Sequence, residues 1–176
     1  MKDVRRGFGK EELNKKLLTL AKEYARLAQE ILGENLVSVV LFGSVARGEA
    51  HEKSDIDLFI VAEGLPRGAF KRRELLEPIK AQLDPELEKL WRQGIYTDFV
   101  EIIRTKEEAR RFRPFYLDMT EEAIILYDRD GFFAGILERV RKKLRELGAQ
   151  RKRMGKVWYW DLKPDYKPGE VIDLSL

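Results

Sequence analysis

The chain has no cysteine, which excludes disulfides and thiolate metal sites. It has one histidine, His51, in a polar stretch where a solvent-exposed, inert side chain is expected. It has no long hydrophobic run. The longest, such as Leu36–Phe42, are far too short to cross a bilayer. The stretch MKDVRRGFGKEEL carries charge with no apolar segment after it, so no secretory signal is expected. By elimination the expected location is cytoplasmic, with no membrane partner. Asn and Gln are scarce, while 37% of the residues are charged. That balance suits the surface ion-pair networks of a thermophile. The net charge is only +3, but it is unevenly placed. Arg139, Arg141, Lys142, Lys143, Arg145, Arg151, Lys152, Arg153 and Lys156 face Glu146 alone. Such a block can attract nucleic acid or nucleotide phosphate. The blander explanation, the solvated face of an amphipathic helix followed by a basic loop, is preferred.

What is present suffices for one domain with a real core: 176 residues of ordinary apolar content. Residues 1–9 read as a frayed leader. Leu13, Leu17, Leu20, Tyr24, Leu27, Ala28 and Ile31 recur at helical spacing, predicting a helix over Lys10–Leu32 that Gly33 stops. Leu36–Phe42 reads as a strand, Val45–Gly48 as a short helix and Asp55–Val61 as a second strand. Phe70–Lys80 reads as a helix broken at Pro78. Asp84-Pro85 reads as the start of another, running to Arg92. Ile95–Ile103 is a third strand. Thr105 and Glu108 form a capping box for a short helix that stops before Pro114. Ala123–Tyr127 is a weaker strand and Gly131–Leu147 a second long amphipathic helix. The tail from Val157 is aromatic and punctuated by proline. The alternation fits an α/β (α+β) fold: a mixed β-sheet of four to five strands flanked by helices.

The chemistry is concentrated in GSVARGEAHEKSDIDLFIV, residues 43–61. Alternate side chains of a strand share a face, so Asp55 and Asp57 project together. Two adjacent carboxylates raise each other's pKa unless a positive charge lies between them. Carboxylate oxygens on a rigid strand are ligands that Mg²⁺ prefers, with substrate phosphates completing its shell. The Gly43-Ser44 turn offers backbone N–H groups and a hydroxyl where a phosphate can rest. Arg47 can contact phosphate or pair with Glu49. Ser54 is expected to cap the turn.

Gly43, Ser44, a ten-residue spacer, then Asp55 and Asp57 on a strand resemble the signature of the DNA polymerase β nucleotidyltransferase superfamily in its minimal form. Ala46-Arg47-Gly48 and Ser54–Leu58 match as well. The tail WYWDLKPDYKPGEVIDL is similar to the ends of small archaeal nucleotidyltransferase-domain proteins. The resemblance implies a polymerase β-like fold, with a catalytic core over 1–105 and an extension over 106–176 packed on it. It implies two Mg²⁺ ions and ATP or another nucleoside triphosphate, with Gly43, Ser44 and Arg47 at the nucleotide. It also implies a third carboxylate from an adjacent strand, beside Asp55 and Asp57. Asp98 and Glu101 are the candidates. Their opposite parity lets only one face the metals, and Asp98, within Thr97-Asp98-Phe99-Val100, is preferred.

The implied reaction moves a nucleoside monophosphate to an acceptor hydroxyl, on a toxin-like partner protein by analogy. The rivals are an antitoxin-like binding protein that keeps the fold without catalysis, and a nucleic-acid binder acting through the basic block. Trp158-Tyr159-Trp160 can stack a nucleobase, but an aromatic strand covering the core is preferred.

Overall fold

The computed structural model describes residues 9–155 and 157–176. The expected leader at 1–9 lies outside the described residues except for Gly9. Helix α1 spans Lys10–Leu32, as its apolar spacing predicts, and Gly33 ends it at φ 52°. Strand β1 (Leu36–Phe42) leads into α2 (Gly43–Ala46), a single turn, and β2 spans Ile56–Ala62. Helices α3 (Ala69–Glu74) and α4 (Glu77–Arg92) then cross over to β3 (Phe99–Arg104). Helices α5 (Lys106–Ala109) and α6 (Phe115–Glu122) precede β4 (Ile124–Asp128) and α7 (Phe132–Leu147).

The four strands form one mixed sheet in the order β3-β2-β1-β4, with β2 parallel to β3 and the other pairs antiparallel. Helices cover both faces. Leu41, Leu58 and Phe99 pack with Tyr24 of α1 and Leu83 of α4 on one side. Phe59 and Val61 pack with Tyr116 of α6 and Phe133 of α7 on the other. The Phe59 ring lies 4.9 Å from that of Phe133 and 5.7 Å from that of Tyr116, centroid to centroid. Because β2 is covered on both faces, its apolar run is interrupted only by Asp57. Among the described residues no helix is long and apolar enough to cross a membrane.

Several elements differ from the sequence reading. Asp84-Pro85 does not start a helix; Pro85 lies inside α4, and the break falls earlier, between α3 and α4. Ile79, Leu83, Leu87 and Leu90 form one buried stripe on α4. Burying four such side chains, at about 1.5–3 kcal/mol each, outweighs the roughly 3 kcal/mol of an interior proline. Pro78 falls in the first turn, where its missing N–H has no helical partner to lose. Strand β3 begins at Phe99, not Ile95. The Ile95 and Tyr96 amides donate to Leu90 and Glu52 carbonyls instead of to a ladder. Pro114 opens α6, a helix the sequence reading lacked. The capping box stands as expected: Thr105 and Glu108 each accept the other's amide.

The tail differs most. Residues read as a basic loop form β5 (Gln150–Met154), paired antiparallel with β6 (Val157–Asp161). The aromatic strand does not cover the core. Trp158 and Tyr159 are 46% and 45% exposed, and Trp160 alone of the three packs against the α6–α7 cluster.

Candidate active site

The turn after β1 is placed by the β1–β2 ladder, which sets Phe42 opposite Asp57. Gly43 follows at φ +74°, a left-handed value that disfavours side chains. Its missing side chain has a second use. A Cβ at Gly43 would collide with the Asp57 carboxylate, whose Cγ would lie 3.1 Å away. Glycine therefore makes room for Asp57 itself, a reason not visible in the sequence. Helix α2 is only one turn long, so its dipole adds little behind Ser44. The Ser44 hydroxyl is half-exposed, and Ser44 anchors the turn through its carbonyl, which accepts the Glu49 amide at 2.8 Å.

The parallel β2–β3 ladder decides which acids share a face. Asp57 stands beside Val100, and Leu58 beside Glu101. Residues paired in a ladder point to the same side, and the side alternates along the strand. Asp57 therefore takes the α6–α7 side, and Asp55 and Asp98 lie just ahead of β2 and β3, at the end of the sheet where Gly43-Ser44 lies. Glu101 takes the opposite side. Its side chain, 4% exposed, receives the Tyr24 hydroxyl at 3.1 Å and pairs with Lys80 at 3.4 Å.

Asp98 and Asp55 are tied by backbone. The Asp98 amide donates to Asp55 Oδ1 at 3.2 Å, and its carbonyl accepts the Ile56 amide at 2.8 Å. The Asp98 carboxylate turns back to accept the Phe99 amide at 2.7 Å. As arranged, no three acidic or imidazole side chains among the described residues converge on a metal-sized point.

Asp57 is electrostatically uncomfortable. Burial pushes its pKa up, Asp55 pushes it further, and Arg47 opposes them. Arg47 is itself engaged: Nε donates to Glu49 at 2.8 Å and NH1 to Glu122 at 3.1 Å. Of its two readings, the ion pair is the one formed here. Ser54 caps the turn, accepting the His51 amide at 3.0 Å, and His51 is exposed. Much of the basic block is also paired: Arg145 with Glu138, Lys152 with Asp161, and Arg151 with Glu122. Glu122, at the end of α6, has no motif around it and was not legible as a site residue.

A mixed sheet with a left-handed Gly-Ser turn and paired acids at one end is the frame of a group-transfer enzyme acting on phosphates. The chain belongs to the nucleotidyltransferase domain family, whose model matches residues 22–127, and it is a transferase. A relative from Methanocaldococcus jannaschii, provisionally named protein adenylyltransferase MJ1305, is 30% identical over 133 residues, covering 76% of this chain and 86% of the relative. A second from the same organism, MJ0141, bears the same provisional name. It is 38% identical over 50 residues, covering 28% of this chain and 50% of that one. A solved structure provisionally assigned as a nucleotidyltransferase, from Sulfolobus solfataricus, aligns with 73% of this chain and 95% of its own, at 21% identity and a TM-score of 0.43.

Proposed function

We propose that this protein transfers AMP from ATP to a hydroxyl on a partner protein, with Mg²⁺ held by Asp55 and Asp57. The carrying observation is Asp57: half-buried, beside a second carboxylate, with the cation that acts on it, Arg47, ion-paired to Glu49 and Glu122. A divalent cation held by Asp55 and Asp57 would offset both the like-charge repulsion and part of the cost of burial. The donor set is all carboxylate oxygen, which suits Mg²⁺. Asp98, whose amide donates to Asp55, would serve as a third ligand if its carboxylate turned from the Phe99 amide. When bound, Mg²⁺ would offset phosphate charge and lower the pKa of the attacking hydroxyl.

The chain's own groups do the rest. The Gly43-Ser44 turn seats the triphosphate, and the Ser44 hydroxyl donates to a phosphate oxygen. The acceptor oxygen bonds to the α-phosphorus, and the bond from that phosphorus to the bridging oxygen breaks. Diphosphate leaves, and Asp98 takes the acceptor's proton. AMP as the transferred group and a protein as acceptor are supported by the name of the M. jannaschii relative at 30% identity. Pairing within the basic block speaks against nucleic acid as the main partner.

The test is label transfer. Incubation with α-labelled ATP and Mg²⁺ in an extract of the source cells should label a protein band. γ-Labelled ATP should not label it, and chelation should abolish the signal. Labelling from γ-labelled but not from α-labelled ATP would make the enzyme a phosphotransferase and overturn the reading.

A further inference from the structure

Glu122 gathers two arginines from distant parts of the chain. Arg47 follows the Gly-Ser turn, and its NH1 reaches Glu122 Oε2 at 3.1 Å. Arg151 lies on β5, beyond the residues that match the family, and its NH2 contacts Glu122 Oε1. The Glu122 side chain is only 12% exposed, so the carboxylate of this contact is largely shielded from water while Arg47 stays partly open to it. Arg151 is held from its other side by Trp158, whose ring centre lies 4.7 Å from the guanidinium carbon. Arg153 lies over the same ring at 5.5 Å. The ladder pairs Arg153 with Trp158 and Arg151 with Trp160, so all four side chains share one face of the hairpin. That face is the inner one, since Trp160 donates to Asp118 of α6 at 3.2 Å. The hairpin thus stands against the end of α6, next to the Gly-Ser turn.

Arg151 is short of acceptors. It shares Glu122 with Arg47, which also has Glu49, and the Arg151 Nε–H is buried with no partner among the described residues. A phosphate group carries several acceptor oxygens in the geometry that guanidinium forks match. We propose that the β5–β6 hairpin forms a wall of the nucleotide site and that Arg151, paired with Arg47 through Glu122, binds the β- and γ-phosphates of the incoming nucleotide. An anion entering between the two arginines supplies the missing acceptors, and Glu122 keeps the pair in register until then. This rests on the nucleotidyl-transfer reading above and adds a residue from outside the matched domain.

Binding by calorimetry on the full chain, with Mg²⁺ saturating, tests it without any acceptor. The probes are ATP, inorganic pyrophosphate and AMP. Arg151→Ala should weaken ATP and pyrophosphate about tenfold, the loss of one charge-assisted contact, and leave AMP unchanged. Arg151→Lys, which keeps the charge but not the fork, should recover part of that loss and guards against misfolding of the hairpin. Glu122→Gln should shift pyrophosphate in the same direction as Arg151→Ala. Unchanged pyrophosphate affinity in both Arg151 variants would overturn the proposal, as would an equal loss for AMP, which lacks those phosphates. A parent protein that binds none of the three would instead overturn the nucleotidyl-transfer reading, and this proposal with it.

Discussion

Asp57 and Glu101 sit on neighbouring strands of one sheet, on opposite faces, and burial pushes the pKa of both upward. Their surroundings differ in kind. Glu101 has its compensation built in: Lys80 at 3.4 Å and the Tyr24 hydroxyl at 3.1 Å, both of which favour its charged form. Asp57 has a like charge beside it, and the cation that acts on it, Arg47, is bound to two other acids. A buried carboxylate with its own cation is part of the architecture. One beside another carboxylate lacks such compensation, the electrostatic pattern that marks a functional-site candidate.

The comparison breaks most visibly at Asp57. Asp57→Asn should lower AMP transfer on the order of 10³-fold while leaving the unfolding free energy unchanged or raised by about 1 kcal/mol, since a repulsion is removed. Label transfer and urea denaturation of the same preparation read both. Full activity in this variant would mean the carboxylate pair is not the reaction centre.

Asp98 and Glu101 sharpen the contrast, because they should fail in opposite assays. Asp98→Ala should cost about 10²-fold in transfer with little change in stability. Glu101→Ala should keep most of the transfer but lose about 1–3 kcal/mol of stability, through the unpaired Tyr24 and Lys80. The reverse ranking would move the site to the other face of the sheet.

Glu108 gives the smallest effect and the opposite sign. Its hydrogen bonds from Arg72, at 2.6 and 3.0 Å, pull its pKa down from 4.5 to about 2. A carboxylate with a depressed folded-state pKa stabilises fully above its unfolded value. That contribution is lost as the pH falls from about 4.5 through about 2. Glu108→Gln should flatten this part of the stability profile by about 1 kcal/mol or less, because the side chain is a third exposed and water screens the pair. Acid titration of unfolding free energies compares variant and parent.

The local determinants were written along the chain. Seven-residue apolar strands, the helical spacing of α1 and α7, and the Thr105–Glu108 box depend on neighbours a few positions apart, so periodicity and capping rules reach them. The same holds for the shared face of Asp55 and Asp57, which a period of two dictates. Parity also separated Asp98 from Glu101, though only the parallel β2–β3 register placed Glu101 on the face opposite Asp57.

Contacts across the chain had no such signal. Pro85 reads as a boundary until α4 is seen burying its leucine stripe against α1. Arg47 reads as a phosphate contact or a partner of Glu49 until Glu122, seventy-five residues away, is found holding it as well. Gly43 reads as a turn residue until the Asp57 carboxylate fills the space its Cβ would need. The sequence by itself determined which residue types carry the chemistry and how they are spaced along each strand, because backbone geometry repeats on a scale of two to four residues. Only the tertiary structure decided which charges are compensated and which are not, because electrostatic energy depends on distance through space and on burial, and neither is set by position along the chain.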